Sequence, residues 1–407
     1  MPIYISTWGD PTGWREAKYV CGEEKKGFLS AVCYKDVSKL IVITLDSILT
    51  PRVNENSNVV KCLPTSLPSD YESWKKKIEE YVNCILKNID LQADVIVLPA
   101  IGKYGNYEYG RVEDRYIPTE FIRGILTLEL YKRLKDKEEV ILDITHGVNY
   151  LGALTLYVLS RLTSFLSLKL KVINFIPTDP VNRVFTYTEV LSYSKQYFDY
   201  NSVDETKILD KKKRATVLSL KYNALLPLYN LCKENKIPDY TLSVRIENNV
   251  LLISSDVKNL SYLSEDNVWG EIIYDYVCSK VKPKKWVSTK ELSHLTDEIF
   301  KIDAQKTLIY SELNNVYNLG KKKLKEGEEA SYFSVYEKKE RKENANSSIQ
   351  SVEEESEDKL ERNFMAHAGL IKDAVILKKE SNMIYVSYDE SKKDILKDLL
   401  GVDIFST

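Results

Sequence analysis

The sequence is poor in the residues that several common functional sites require. Only three of its 407 residues are histidine, and its six cysteines include no C-x-x-C pair, which argues against a zinc site. No G-x-G-x-x-G and no G-x-x-x-x-G-K-[ST] string follows the predicted strands, so dinucleotide-binding and P-loop nucleotide-hydrolysing sites are disfavoured. The scattered cysteines are expected to be free, buried thiols.

The chain also lacks a strong net charge and a long hydrophobic run. Its formal net charge is −2, so no global positive field attracts nucleic acid, and any RNA site must be a local groove. The longest apolar run, around residues 148–159, is shorter than the roughly 20 residues needed to cross a bilayer. The first residues carry no basic segment typical of a signal peptide. We therefore expect a cytoplasmic globular protein without membrane association.

The first half of the chain alternates short apolar runs with helical patterns. The runs predict strands at 2–6, 40–45, 95–98, 140–144 and 171–175. The helical patterns fall at 20–34, 70–86, 119–134 and 147–162. Because β-branched strands alternate with amphipathic helices, residues 1–195 are expected to form an α/β domain with a doubly wound parallel sheet. Residues 183–192 would then add an edge strand or a β-extension.

Three polar loops that contain glycine follow predicted strands, at 6–14, 99–111 and 143–149. Ligands of doubly wound sheets bind outside the carboxyl ends of the strands. The third loop opens a helix, whose N-terminal amides favour a phosphate, and Trp8 and Trp14 could stack on bases. Each loop alone is more often a tight turn, but three of them on one rim predict a ligand site.

A second candidate site lies near the C-terminus. Arg362, Asn363 and His367 fall on a stretch with helical spacing of apolar residues, and Gly369 is a candidate helix end. In a helix, Asn363 and His367 lie about 40° apart, whereas Arg362 lies about 140° from His367. One helix does not converge all three side chains, so we expect a second copy of the chain to complete the site.

These three side chains suit RNA cleavage without a metal. Histidine titrates in the range needed to take the proton of a 2′-hydroxyl that attacks the adjacent phosphorus. The planar fork of Arg362 suits the negative charge that develops on the phosphate, and Asn363 would orient the histidine or a phosphate oxygen. The alternative is a core histidine on an amphipathic helix, and spacing alone does not choose between the two.

Residues 196–320 carry no recognisable motif. Their patterns predict a long helix at 207–234, a β-hairpin at 240–253 and helices at 269–280, 289–302 and 303–319. This region is either a winged-helix-like module or a linker of helices and one hairpin. Residues 321–356 form a charged insertion that we expect to be mobile or partly disordered. A hairpin at 374–378 and 383–388 and a helix at 392–400 follow.

Two parts of the sequence resemble a known family. The string Arg362-Asn363-x-x-x-His367 resembles the R-x4-H signature of HEPN ribonucleases, in the form found in CARF–HEPN proteins of type III CRISPR systems. The loops at 6–9 and 102–104 and the turn at 143–149 together resemble a CARF domain. The resemblance spans residues 1–195 and about 350–407, and it is much less specific between them.

The resemblance implies a Rossmann-like CARF sensor at 1–195, a helical and hairpin linker region at 196–320, and a mostly α-helical HEPN ribonuclease at 321–407. It implies a cyclic oligoadenylate, expected to be the cyclic tetra-adenylate, as the activator. The residues implied to bind the ring come from all three loops: Thr7, Trp8, Gly9, Gly102, Lys103, Thr145, His146, Gly147 and Asn149. Arg362, Asn363 and His367 would be catalytic, with no metal or other cofactor.

We therefore expect an endoribonuclease of type III CRISPR antiviral defence that cuts single-stranded RNA as a homodimer or a higher assembly of dimers. One rival is a ligand-gated DNA-binding transcriptional regulator with a winged helix at about 240–320. Its predicted recognition helix at 289–302 mixes lysines with acidic residues, which weakens that hypothesis. A third hypothesis is a sensor that also degrades its own ring, assisted by Thr145 and Lys103.

Overall fold

The computed structural model describes residues 2–34, 38–50, 59–147, 149–193, 197–233, 237, 242–253, 257–343 and 357–405. The chain forms two compact units. The N-terminal unit comprises Met1–Phe198 and Asp239–Val268, and the C-terminal unit comprises Asp199–Pro238 and Trp269–Thr407. Within the described ranges, no helix has both the length and the apolar character that crossing a membrane requires.

The N-terminal unit begins with strands and helices in alternation. Its elements up to residue 193 are β1 (Ile3–Thr7), β2 (Ala17–Cys21), β3 (Glu23–Gly27), β4 (Lys39–Leu45), α1 (Tyr71–Lys87), β5 (Ala93–Leu98), β6 (Gly102–Tyr104), β7 (Tyr107–Val112), β8 (Arg115–Tyr116), α2 (Thr119–Leu134), β9 (Glu139–Asp143), α3 (Asn149–Leu166), β10 (Lys169–Asp179) and β11 (Val184–Tyr193). All five predicted strands and three of the four predicted helices are confirmed.

The main sheet has eight strands in the order β3-β2-β11-β10-β9-β1-β4-β5. The five strands β10-β9-β1-β4-β5, which end at the edge strand β5, are parallel to one another. On the other side of the sheet, β10 with β11 and β2 with β3 pair antiparallel, whereas β11 with β2 is parallel. After the hairpin β2–β3, which lies at the far edge beyond β11, the chain adds β4 and β5 on one side of β1 and later β9 and β10 on the other. The strand order therefore reverses beside β1, between β1 and β9, and such a switch point is where doubly wound sheets bind ligands.

The sequence explains why the central elements form. β4 is a run of β-branched and apolar residues that is buried along almost its whole length, as a strand covered on both faces requires. α1 begins at an N-cap, because the Asp70 carboxylate accepts the amide hydrogen of Ser73 at 2.8 Å. Its buried residues Trp74, Ile78 and Tyr81 then recur at helical spacing.

The second half of the chain contains short strands among longer helices. Its elements are α4 (Lys211–Lys221), α5 (Leu228–Leu231), β12 (Val244–Glu247), β13 (Val250–Ile253), α6 (Val257–Tyr262), α7 (Glu265–Lys280), β14 (Val287–Ser288), α8 (Thr289–Ile299), α9 (Asp303–Lys323), β15 (Glu329–Ser331), α10 (Tyr332–Glu343), α11 (Glu357–Ala366), β16 (Val375–Glu380), β17 (Met383–Tyr388) and α12 (Lys393–Leu400). The predicted hairpins at 240–253 and 374–388 are confirmed, as are the helices at 269–280, 289–302, 303–319 and 392–400.

Two smaller sheets complete the units. The β12–β13 hairpin pairs with β7 in a second sheet of the N-terminal unit, although the sequence assigned it to the linker region. In the C-terminal unit, β14, β17, β16 and β15 form a four-stranded sheet in that order. α8 starts there with a capping box in which Ser288 and Glu291 exchange hydrogen bonds. The C-terminal unit is otherwise largely helical.

Three predictions about local structure are wrong. Residues 20–34 hold the hairpin β2–β3 and a short 3₁₀ turn rather than a helix. The long helix predicted at 207–234 is divided, because Asn223 takes a positive φ of 57° between α4 and α5. Strand β11 is interior to its sheet, so the edge position expected for residues 183–192 is the third. The charged insertion at 321–356 contains β15 and α10, and the prediction for its residues 344–356 lies outside the described ranges.

The cysteines are not free thiols, contrary to the expectation from their scatter. All six are joined in disulfides, Cys21–Cys33 and Cys62–Cys84 in the N-terminal unit and Cys232–Cys278 in the C-terminal unit. The partners are 12, 22 and 46 residues apart in the sequence. Spacing could not reveal these pairs, because none of them belongs to a short motif.

Candidate sensor and nuclease sites

The first and third polar loops meet at the switch point of the main sheet. The amide of Gly9, after β1, donates a hydrogen bond of 2.9 Å to the backbone carbonyl of His146, after β9. A Cβ atom on Gly147 would lie 2.2 Å from Oγ1 of the buried Thr7, so no larger residue fits there without movement. The two loops therefore form one surface that is shaped largely by backbone.

The side chains of the third loop are engaged inside the unit. The Thr145 hydroxyl donates to the buried Asp143 carboxylate and accepts the amide hydrogen of Phe175 at 3.0 Å. Nε2 of His146 accepts the amide hydrogen of Ser30 at 3.1 Å. Burial lowers the pKa of His146, which keeps its imidazole neutral. These inward hydrogen bonds hold the loop in place, so the loop exposes mainly its backbone to a ligand. Asn149 starts α3, and its side chain lies outside the described part of the structure.

The two tryptophans of the first loop play unequal parts. Trp8 is only 1% exposed, and the edge-to-face contact with Trp14 has a centroid distance of 4.9 Å. Trp14 is half-buried and also packs on the ring of His146 at 4.7 Å. Of the two rings predicted to stack on bases, that of Trp14 is therefore the more accessible in this arrangement.

A cavity of about 290 Å³ joins the first loop to the second. It is lined by three groups of residues: Trp8, Gly9 and Asp10; Thr44, Leu45, Ser47, Ile48 and Thr50; and Lys103, Tyr104 and Gly105. Lys103 is exposed on β6, and Gly102 before it has a φ of +106°, which favours glycine. The hydroxyls of Tyr104 and Tyr150 hydrogen-bond each other, so the start of α3 also lies on this rim.

Sequence reasoning missed the turn after β4, from which Ser47, Ile48 and Thr50 line this cavity. Its buried Asp46 carboxylate accepts the Ala100 amide hydrogen at 2.8 Å and the Tyr71 hydroxyl hydrogen at 3.1 Å. Burial raises the pKa of Asp46 to about 7. An acidic residue directly after a continuous apolar strand was a usable signal, because the carboxyl ends of parallel strands share one edge of a sheet.

The predicted catalytic helix is present and ends where the sequence suggested. α11 runs to Ala366, and the amide of His367 still donates to the Asn363 carbonyl at 3.1 Å. Gly369 then takes a φ of +76°, and its amide donates to the Phe364 carbonyl at 2.8 Å. Phe364 is fully buried and packs edge-to-face on Tyr222, which anchors this helix in the C-terminal unit.

The three predicted catalytic residues differ in exposure. Arg362 is exposed, whereas Asn363 and His367 are half-buried. Met365, three positions after Arg362 and on the same helix face, is 39% exposed. The helix thus presents a cation and an apolar side chain outward, next to a partly accessible histidine.

An acidic partner of His367, missed by sequence reasoning, lies on α9. Nδ1 of His367 is 3.0 Å from Oε2 of Glu312. The Glu312 side chain is 13% exposed and the His367 side chain 42% exposed. The two residues are 55 positions apart, and no local spacing could have paired them.

Both halves of the chain match models of one protein family. Residues 3–177 match the CARF domain of the CRISPR system endoribonuclease Csx1, and residues 303–390 match its HEPN domain. The CRISPR system endoribonuclease Csx1 of Methanocaldococcus jannaschii is 26% identical to the chain over an alignment 433 residues long. The alignment covers 91% of this chain and 85% of that protein.

The fold and these matches define a two-part protein in which a CARF sensor with a mixed, mostly parallel sheet precedes a largely helical HEPN nuclease. The chain belongs to the Csx1 family of CRISPR endoribonucleases, and it is an endoribonuclease of the HEPN type. The CARF domain implies binding of a cyclic oligoadenylate, and the HEPN domain implies an RNA substrate. The HEPN match begins inside the stretch that the regulator hypothesis assigned to a winged helix, which speaks against that rival.

Proposed function

We propose that a cyclic oligoadenylate bound to the N-terminal unit activates metal-independent cutting of single-stranded RNA by Arg362, Asn363 and His367. The observation that carries this proposal is the partly accessible ring of His367 at the end of α11, a helix that also presents Arg362. Both residues fall in the segment that matches a HEPN nuclease domain. The chain thus offers a proton acceptor and a cation five positions apart at the end of one helix.

The proposed reaction forms one bond and breaks one. The 2′-oxygen of a ribose attacks the adjacent phosphorus while its proton passes to Nε2 of His367. Arg362 stabilises the negative charge on the non-bridging oxygens, and Asn363 orients one of them. The bond from phosphorus to the 5′-oxygen then breaks, and that oxygen takes a proton from a protonated histidine. The products are a 2′,3′-cyclic phosphate and a 5′-hydroxyl.

We infer that two copies of the chain complete each site. On an ideal helix, Arg362 projects about 140° from His367, so within one copy the two side chains point in different directions. The exposed Met365 on the face of Arg362 supplies an apolar surface that a second α11 would cover. A homodimer would place the Arg362 of one copy near the His367 of the other.

The features of the N-terminal unit support a ring of phosphates and bases as the ligand. The cavity offers the exposed cation of Lys103 and the backbone of the first loop, and α3 begins beside it. The nearby Thr7, Gly147 and Thr145 shape the rim, and His146 supplies the carbonyl that holds Gly9. A symmetric ring would be shared by two such units across a two-fold axis.

Activation requires the ring to distinguish two states of the protein. A ring with equal affinity for the resting and the active arrangement would shift nothing, however tightly it bound. A shift from about 1% to about 99% active needs a preference of about 10⁴-fold. The ring must therefore contact groups that move between the two states.

The test is cleavage of a labelled single-stranded RNA in EDTA, with and without cyclic tetra-adenylate, by the native chain and by His367→Ala and Arg362→Ala. We expect cutting that depends on the ring and that either substitution abolishes, while ring binding measured by calorimetry is unchanged. Product ends are identified by their resistance to phosphatase until the cyclic phosphate is opened. Cutting that survives both substitutions would show that the nuclease assignment is wrong.

A further inference from the structure

The hydrogen bond between Glu312 and His367 joins two elements that are distant in the sequence. Glu312 lies in the middle of α9, and His367 follows the last residue of α11. The Oε2 to Nδ1 distance of 3.0 Å is that of a formed hydrogen bond. Because a carboxylate only accepts, the proton in this bond belongs to Nδ1 of the imidazole.

The surroundings of Glu312 differ from those of an ordinary surface carboxylate. Its side chain is 13% exposed, and the buried Tyr332 lies near enough to sense its charge. Burial, and next the charge of Glu312, raise the pKa of Tyr332 to about 12. A hydrogen bond to a largely shielded carboxylate holds a ring more firmly than an exposed ion pair, which solvent and salt weaken.

This bond decides which nitrogen of His367 can take a proton from RNA. With the proton on Nδ1 directed at Glu312, the lone pair of a neutral ring is on Nε2. The ring is 42% exposed, so it can meet a ligand. As Nε2 takes the proton of the 2′-hydroxyl, positive charge develops on the ring directly beside the carboxylate of Glu312, and the two charges attract each other.

From this geometry we propose that Glu312 is a positioning residue for the ribonuclease reaction, one that fixes the tautomer and orientation of His367 and places a negative charge beside the ring as the ring takes the proton. The proposal rests on the proposed function of His367 as the proton acceptor. Glu312 itself touches no substrate and acts through the ring. The transfer that it assists is the movement of the 2′-hydroxyl proton to Nε2, which Nδ1 could not accept while it carries its own hydrogen.

Two substitutions separate positioning from charge. Glu312→Gln keeps the size of the side chain and an oxygen that can accept from Nδ1, but it removes the negative charge. Glu312→Ala removes both. The matched control is Glu329→Gln, which removes one exposed carboxylate from the same unit, where Glu329 pairs with Lys378 at 3.6 Å.

The measurement is kcat and KM for single-stranded RNA at a saturating concentration of cyclic tetra-adenylate, beside thermal unfolding of each variant. We expect Glu312→Gln to lower kcat about 10- to 100-fold, the size seen when the partner that orients a metal-binding histidine is removed. KM for RNA and the unfolding temperature should stay within error of the native chain. Glu312→Ala should lose more, and added formate should restore part of its kcat by occupying the vacated site. Glu329→Gln should keep native kcat.

Each result decides the proposal. A native kcat in Glu312→Gln overturns it. A loss of kcat that comes with a raised KM and a lower unfolding temperature, and that formate does not relieve, also overturns it, because that pattern indicates a structural role. The His367→Ala chain distinguishes this failure from that of the proposed function. If His367→Ala still cuts RNA, the catalytic assignment fails. If it does not cut and Glu312→Gln is fully active, only the role of Glu312 fails.

Discussion

The two candidate sites present different parts of the chain to their ligands. At the rim of the N-terminal unit, Thr7, Thr145 and His146 turn their side chains inward, and the loops expose backbone around the cavity. At the end of α11, Arg362 and His367 hold their side chains outward or half-outward. The first site thus depends on shape and the second on individual functional groups.

This difference changes what a substitution can reveal. Truncating a side chain in the C-terminal site would remove a proposed reacting group, so we expect the rate to fall strongly while the fold is unchanged. At the sensor rim, the decisive changes are those that add atoms or alter buried charge, because close packing leaves little room for them. The four predictions below use this contrast, from the largest expected effect to the smallest.

The strongest contrast is between His367→Ala and Lys103→Ala. We expect His367→Ala to lower the cutting rate about 10²- to 10⁴-fold, the usual contribution of a general base, with native ring affinity. Lys103→Ala should weaken ring affinity about 10-fold, because it removes one exposed cation, and should regain a native maximal rate at high ring concentration. The measurement is RNA cutting across a titration of cyclic tetra-adenylate. A lowered maximal rate in Lys103→Ala would contradict the prediction that this lysine affects only ring affinity.

The next effect concerns Asp46. This residue is buried, and burial raises its pKa to about 7. An unfolded aspartate has a pKa of about 3.9, so the folded chain holds this proton more tightly than the unfolded one. Its contribution to stability is complete below about pH 4 and is lost as pH rises through about 7. The folded and unfolded pKa values differ by about 3 units, and each unit corresponds to about 1.4 kcal/mol. The unfolding free energy can therefore fall by at most about 4 kcal/mol.

Asp46→Asn should remove that slope, because the amide cannot ionise yet keeps an oxygen for the Ala100 amide. Denaturant unfolding from pH 5 to 8 measures it, with Asp136→Asn as the control on an exposed aspartate of the same unit. Equal pH dependence in the native chain and in Asp46→Asn would mean that this carboxyl does not titrate in the range.

Gly147→Ala tests the contact between the first and third loops. The added Cβ would lie 2.2 Å from Thr7 Oγ1, and such overpacking costs about 1–3 kcal/mol of unfolding free energy. Gly13→Ala is the matched control, because a Cβ there meets nothing within 4 Å. Adding Thr7→Ala to Gly147→Ala should recover part of the loss by removing the clashing hydroxyl. If Gly147→Ala and Gly13→Ala are equally stable, the loops are not packed as described.

The smallest effect compares one disulfide from each unit. Cys232–Cys278 closes 46 residues and Cys21–Cys33 closes 12. Loop-closure entropy assigns them about 4 and about 3 kcal/mol of stabilisation, a difference of about 1 kcal/mol. Replacing each pair with serines and measuring denaturant unfolding gives the two costs. A larger cost for the shorter loop would mean that native packing, rather than loop length, sets the order.

The sequence was most informative where local pattern and final environment agree. The helix predicted at 119–134 has the same bounds as α2, and the apolar run of β4 could only be a covered strand. The helix predicted at residues 20–34 was wrong because β2 is held as a strand by its pairing with β3 and β11. The residues of β11 that pair with it, 184–186, lie far along the chain. The charged residues of β3 have no strand periodicity of their own.

The two sites were predictable to different degrees for the same physical reason. Arg362, Asn363 and His367 lie within six residues, so a motif could identify them together. The carboxylates of Asp46 and Glu312 come to their sites through folding, and Glu312 meets His367 across 55 residues. The inward orientation of Thr145 and His146 also depends on Phe175 and Ser30, which lie outside the loop at 143–149.

The complete pairing of the cysteines has a practical consequence for spectroscopy. Because all six are in disulfides, the native chain offers no thiol to a maleimide dye or a nitroxide reagent. A single cysteine introduced at an exposed position would therefore carry the only label on each copy. In a homodimer, the two identical labels would report the separation of matching points and how a ring changes it.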